Sequence, residues 1–201
     1  MAIRSLRVEG AYVVTSQVFT DERGYFLSPY LENDFQRCTG HKLFAVSQSS
    51  LNRSRSGVVR GIHYTAAPPG MTKFAFSPHG KALDVLVDLR VGSPTFGEWD
   101  SVVLDQQSFR SVYVPMGVGH MTVALADETL VCYLLSTGYV AENERAVSPL
   151  DPDLGLPLPS DLELVLSERD RAAPTLAEAE RAGLLPDYAV CRRLDAQGNQ
   201  Q

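Results

Sequence analysis

The chain has 201 residues, 44% hydrophobic and 21% charged, which suits one well-packed domain over residues 1–201 and excludes a disordered or fibrous class. A net charge of -6 argues against a nucleic-acid duplex as partner, because neutralising phosphates needs clustered basic side chains. No apolar run approaches the roughly 20 residues of a membrane-spanning helix. The opening residues carry Arg4, Arg7 and Glu9 rather than an apolar leader, so a cytoplasmic protein without membrane contact is expected.

Turn residues punctuate the chain at 21–24, 68–70, 77–80, 92–94 and 115–119, separated by short runs of Val, Leu, Tyr and Phe. That spacing predicts many short strands, hence a sandwich or barrel, without choosing between them. Polar turns hold His41 and His79, which should be exposed. Cys38, Cys132 and Cys191 are odd in number and far apart, which predicts buried thiols rather than disulfides or a zinc site.

Over residues 82–90, Leu83, Val85, Val87 and Leu89 alternate with Asp84, Leu86, Asp88 and Arg90. This predicts a strand with a core side and a wet or working side. A second strand over 130–136 sets Val131, Tyr133 and Leu135 on one face. Near the C-terminus, Thr175 followed by Glu178 is a capping box that starts a helix ending at Gly183. Beyond about residue 190 the chain reads as a loose tail, frayed over 196–201.

Several motifs follow one another in order: Phe19, Asp21, Arg23, Gly24 and Phe26; Gln48; GVVRGIH ending at His63; Lys73; ALDVLVDLRVGSPTFGEWD; VPMGVGH ending at His120; Tyr133; STGY ending at Tyr139; Asp151 and Pro152; and SERD ending at Asp170. In this order and over about residues 18–183, the chain resembles the dTDP-4-dehydrorhamnose 3,5-epimerase family. The resemblance implies an all-β cupin jelly-roll (double-stranded β-helix) barrel with a few short peripheral helices, one near the C-terminus. It also implies a homodimer, and a dTDP-linked 4-keto-6-deoxyhexose bound in the barrel mouth without any cofactor.

Inverting a carbon beside a ketone needs a base, a stabiliser for the enolate and an acid on the opposite face. His63 matches the family's base, with a side-chain pKa ordinarily near 6.5. From spacing alone it is equally a core histidine. Asp170 matches the partner carboxylate that fixes such a base, although its neighbours Glu168, Arg169 and Arg171 by themselves suggest a solvated loop acid. Tyr133 matches the acid, where the residue alone would read as core. Lys73 would stabilise the enolate, positioned by Asp84.

Arg60 and Arg23 would bind diphosphate through guanidinium forks, with Arg23 and Phe26 reaching into the neighbouring subunit's pocket. Gln48, His120 and Tyr139 would contact the ligand. Metal-binding cupins carry paired histidines and a glutamate, whereas Tyr64 and Thr65 follow His63, so no metal is expected.

The chain departs from the family pattern at Ser28, Ser50, Met121, Thr122 and Leu158. Such pocket changes resemble the branch that tailors deoxysugars for glycosylated natural products. C3 only, C5 only or both centres stay open, with a lean towards one. The rival readings are a 3,4-ketoisomerase of the same sugars and a catalytically silent carbohydrate-binding cupin.

Overall fold

The computed structural model describes residues 1–198. Thirteen strands appear in chain order: β1 (Ala2–Ser5), β2 (Tyr12–Thr15), β3 (Val18–Asp21), β4 (Gly24–Leu27), β5 (Gln48–Ser54), β6 (Val59–Thr65), β7 (Lys73–His79), β8 (Lys81–Asp88), β9 (Trp99–Asp105), β10 (Arg110–Val114), β11 (Val118–Ala124), β12 (Thr129–Leu135) and β13 (Glu144–Ala146). Four short helices join them: α1 (Glu32–Thr39), α2 (Glu168–Arg171), α3 (Leu176–Arg181) and α4 (Tyr188–Gly198). The strands form a six-stranded sheet, β1-β2-β10-β7-β12-β5, a five-stranded sheet, β13-β6-β11-β8-β9, and the separate hairpin β3-β4.

Period-two alternation decides which side chains enter the space between the two large sheets. From the first sheet, Val13, Ala75, Val112 and Val114 point inward, meeting Leu86, Val102, Leu104 and Val118 of the second. The reverse face of the first sheet packs Val14, Phe74 and Tyr113 against Phe35 of α1 and Phe44. The reverse face of the second packs Ile62, Tyr64, Val85, Val87, Leu89, Met121 and Val123 beneath Leu154, Leu166 and Ala179. Each such aliphatic or aromatic side chain contributes about 1.5–3 kcal/mol on full burial.

This layering bears out a core side and a working side for β8 and removes the wet alternative. Its alternation is real, but Asp84, Leu86 and Asp88 are as fully buried as Val85 and Val87. The apolar side is covered by the C-terminal segment, and the polar side is the interior of the sandwich rather than a wet surface. Asp88 is structural: Arg90 grips both its oxygens at 2.8 Å, and Ser93 and Thr95 each donate at 2.6 Å. Burial alone would raise the Asp88 pKa, but Arg90 and the two hydroxyls outweigh it and hold the carboxyl below its ordinary value.

The capping box at Thr175 and Glu178 forms as expected, and α3 ends before Gly183, which adopts a φ of 66°. The expected turn at 77–80 shrinks to Gly80, since β7 runs to His79 and β8 starts at Lys81. At the chain's end, the segment read as a tail from about 190 lies within α4, anchored by buried Cys191 and by Arg90 lying over the Tyr188 ring at 5.1 Å. Residues 199–201 of the expected frayed end lie outside the described residues. Of the cysteines expected to be buried, only Cys191 is. Cys132 is half-buried and Cys38 exposed, and all three are free thiols. His79 is exposed, whereas His41 packs against Tyr12, Phe35 and Tyr113. Among the described residues no helix is long and apolar enough to cross a membrane.

Candidate active site

A cavity of about 560 Å³ opens between the two sheets. From the second sheet it receives Arg60 and His63 of β6 and His120 of β11; from the first it receives Ser50 and Asn52 of β5, Lys73 of β7, and Tyr133 and Leu135 of β12. Tyr139, Glu144, Arg169 and Asp170 complete the wall.

Arg60 and His63 are three apart, so a regular strand would aim them to opposite faces. The register changes between them: His63 pairs with His120 and Arg60 with Thr122, so Gly61 and Ile62 together oppose Met121. This β-bulge brings both side chains to the interior. Gly61 has a φ of 126°, and a Cβ there would lie 2.5 Å from the His120 carbonyl oxygen and 2.7 Å from the Met121 Cα. Gly61→Ala is therefore expected to cost about 1–3 kcal/mol through backbone strain alone. Urea denaturation would read it, and an unchanged midpoint would contradict the assignment.

His63 Nε2 lies 2.6 Å from Asp170 Oδ1. The Asp170 amide donates to Ser167 Oγ at 3.1 Å, the N-cap bond of α2, which fixes the carboxylate under β6. Burial would raise the Asp170 pKa, but the His63 hydrogen bond and charge outweigh it, with Ser167 and the Gly61 amide adding to them. The carboxyl is held below its ordinary value and stays ionised. An ionised carboxylate only accepts, so neutral His63 carries its proton on Nε2 and leaves the Nδ1 lone pair free.

The buried His120 Nε2 lies 2.7 Å from Asp84 Oδ2, and Asp84 Oδ1 has no hydrogen-bond partner among the described residues. Lys73 is also buried. Desolvation lowers its pKa, aided by Arg169 and opposed by the charges of Glu144 and Asp84. Glu144 is held by the Thr65 hydroxyl at 2.7 Å. Across the cavity, burial first and then the Asp84 charge push the Tyr133 phenol up to about 12, against Asn52, Thr122 and Arg60, so it remains a proton donor at neutral pH. Its ring meets His120 edge-on, with centroids 5.9 Å apart.

Of the residues singled out in the sequence, His63, Lys73, Arg60, His120, Tyr133, Tyr139 and Asp170 share this cavity. Asp84 stands directly behind His120. Gln48 braces the wall rather than forming it: its Nε2 donates to Ser50 Oγ, and its Oε1 accepts from the Tyr139 amide, both at 2.8 Å. Arg23 and Phe26 stand apart on the β3-β4 hairpin. Phe26 is 70% exposed, and the Arg23 guanidinium engages Asp21.

Asn52, Glu144 and Arg169 were not picked out in the sequence. Asn52 had a signal, since Gln48, Ser50, Asn52 and Ser54 are small polar residues sharing one face of a strand. Arg169 sits beside Asp170 in a run of charges that hides a four-residue helix.

The model of the family described as dTDP-4-dehydrorhamnose 3,5-epimerase matches residues 5–178. The chain belongs to this epimerase family. A dTDP-4-dehydrorhamnose 3,5-epimerase of Streptomyces griseus is 46% identical over 189 residues, 94% of each chain. A dTDP-4-dehydro-6-deoxyglucose 3-epimerase of a Streptomyces species is 45% identical over 183 residues, 91% of this chain and 93% of its own. Among solved structures, the Mycobacterium tuberculosis rmlC epimerase superposes with a TM-score of 0.93 at 38% identity, over 98% of this chain and 100% of its own. ChmJ, a 3'-monoepimerase from Streptomyces bikiniensis solved with dTDP-quinovose, gives 0.92 at 41% identity over 98% of each. The two-sheet sandwich of this family member is the cupin jelly roll that the resemblance implied, with two open sheets as its walls.

Proposed function

We propose that the protein inverts C3, C5 or both of a dTDP-linked 4-keto-6-deoxyhexose by removing the proton beside the C4 ketone and returning one to the opposite face. One observation carries this reading. A histidine held by an ionised carboxylate and a protonated tyrosine project into one cavity from opposite sheets. His63 Nδ1 takes the ring proton, and Asp170 stabilises the imidazolium that results. The enolate oxygen is met by the Lys73 ammonium and by His120, with Asp84 behind them. Tyr133 then delivers its proton from the facing wall, and the ketone reforms. Arg60 and Arg169 at the cavity wall suit the diphosphate. These steps use side chains alone and call for no cofactor.

The relatives include a 3,5-epimerase at 46% identity and a 3-epimerase at 45%, so they support both regiochemistries equally. Streptomyces relatives support a role in deoxysugar tailoring. The reading treats residues 1–201 as one functional unit working in the cytoplasm.

Dimerisation belongs to the same reading. Phe19, Tyr25 and Phe26 are each more than half exposed on the β3-β4 hairpin, an apolar tip that a second copy would cover. There, Arg23 and Phe26 would complete the neighbour's pocket. Light scattering is expected to give twice the chain mass, and a fully active monomer would contradict it.

Product analysis tests the reaction. Incubation with dTDP-4-keto-6-deoxyglucose is expected to give a 4-ketosugar inverted at C3, C5 or both by NMR. A carbonyl moved to C3 would establish the ketoisomerase instead, and unchanged substrate that still binds would establish a silent cupin.

A further inference from the structure

If Tyr133 returns the proton, the phenolate it leaves behind must be stabilised in a cavity where burial and Asp84 both oppose negative charge. The phenol has a single proton to give, so any neighbour that accepted a hydrogen bond from it would tie up the atom the reaction needs. Asn52 avoids this conflict. On the inner face of β5, its Nδ2 donates to the Tyr133 hydroxyl oxygen at 3.2 Å. An amide N–H only donates, so it occupies a phenol lone pair and leaves the O–H free to point into the cavity. The buried Thr122 hydroxyl also acts on the phenol, in the same stabilising direction.

We infer that Asn52 is the positioning residue of the acid, directing the Tyr133 O–H towards the substrate and holding the phenolate as its proton leaves. The inference rests on the reading of Tyr133 as the acid. In the step, the phenol O–H bond breaks and its electron pair stays on oxygen. The enolate's electrons form the new C–H bond as the ketone reforms. The phenolate then regains a proton from water, and His63 releases the one it took. Hydrogen bonds to a charged oxygen are stronger than those to a neutral one, so the Asn52 bond tightens as the phenolate develops.

The test is a ratio measured in deuterated water with dTDP-4-keto-6-deoxyglucose: inverted product against deuterium entering with retained configuration. Retained label reports proton removal and return by His63, whereas inversion also needs the acid. The ratio does not depend on how much of a variant folds. Asn52→Ala is expected to lower it about tenfold by removing one bond to a developing charge. Asn52→Asp, similar in shape but able only to accept, should lower it further. Tyr133→Phe serves as the control and should leave retained label without inversion. An unchanged ratio in both Asn52 variants, with Tyr133→Phe behaving as expected, would overturn the inference and leave the acid assignment standing. An unchanged ratio in Tyr133→Phe would overturn both.

Discussion

Replacing His63 by alanine is expected to abolish exchange at the ring carbons while leaving dTDP binding nearly intact. General-base catalysis contributes about 10²–10⁴-fold, and His63, paired through Nε2 with the buried Asp170 carboxylate, is the base in the proposed reaction, whereas the similarly paired His120 is placed at the enolate oxygen. Binding should survive because Arg60 and Arg169, the cations proposed for the diphosphate, hold their positions without His63. Arg60 is fixed by Ser54 Oγ at 3.1 Å, and Arg169 belongs to α2. NMR exchange and calorimetric titration with dTDP would read the two effects separately. Exchange at the native rate would remove His63 from the mechanism, and loss of both exchange and binding would indicate a damaged cavity instead.

Lys73→Met is expected to lower turnover by about 10²–10³-fold, the effect of losing a principal donor to a developing oxyanion. Stability should move the other way. Burial holds the Lys73 pKa below its ordinary value, so the folded protein binds this proton less tightly than the unfolded chain does. The cost of burying the charge is fully present below the folded pKa. It disappears as pH rises past the unfolded value of about 10.4. The methionine variant should therefore unfold later than the native protein at neutral pH, by about 2–4 °C for each kcal/mol relieved, and the gap should close as pH approaches that value. A site that costs stability to keep a cation poised is a common pattern in enzymes. An earlier unfolding midpoint would show that Lys73 is a structural partner of Asp84 and Glu144.

How much of this was legible beforehand depended on how far each residue's signal reached along the chain. Local patterns held: the alternation through Tyr133 and the capping box at Thr175 both rest on neighbours a few residues away. The two faces of β8 held as a core side and a working side, but the full burial of its polar side was not legible, because the strands of the facing sheet that close over it lie elsewhere in the chain. Asp170 shows the same limit more sharply. Its neighbours are charged and it reads as a surface acid, yet it is 2% exposed beneath a histidine 107 residues earlier. Only the family resemblance pointed to that pair. Asn52 needed one further step, the register that sets β5 against β12 and brings its amide to the phenol. The start of α4 has a local signal that the sequence reading did not use, Asp187, whose Oδ1 accepts from the Val190 amide at 2.8 Å.

The most direct measurement of the central claim follows each ring hydrogen of dTDP-4-keto-6-deoxyglucose by NMR as the protein acts in deuterated water. The account predicts deuterium at C3, C5 or both, accompanied by inversion at the labelled carbon. A bound sugar that takes up no deuterium at either carbon would contradict it.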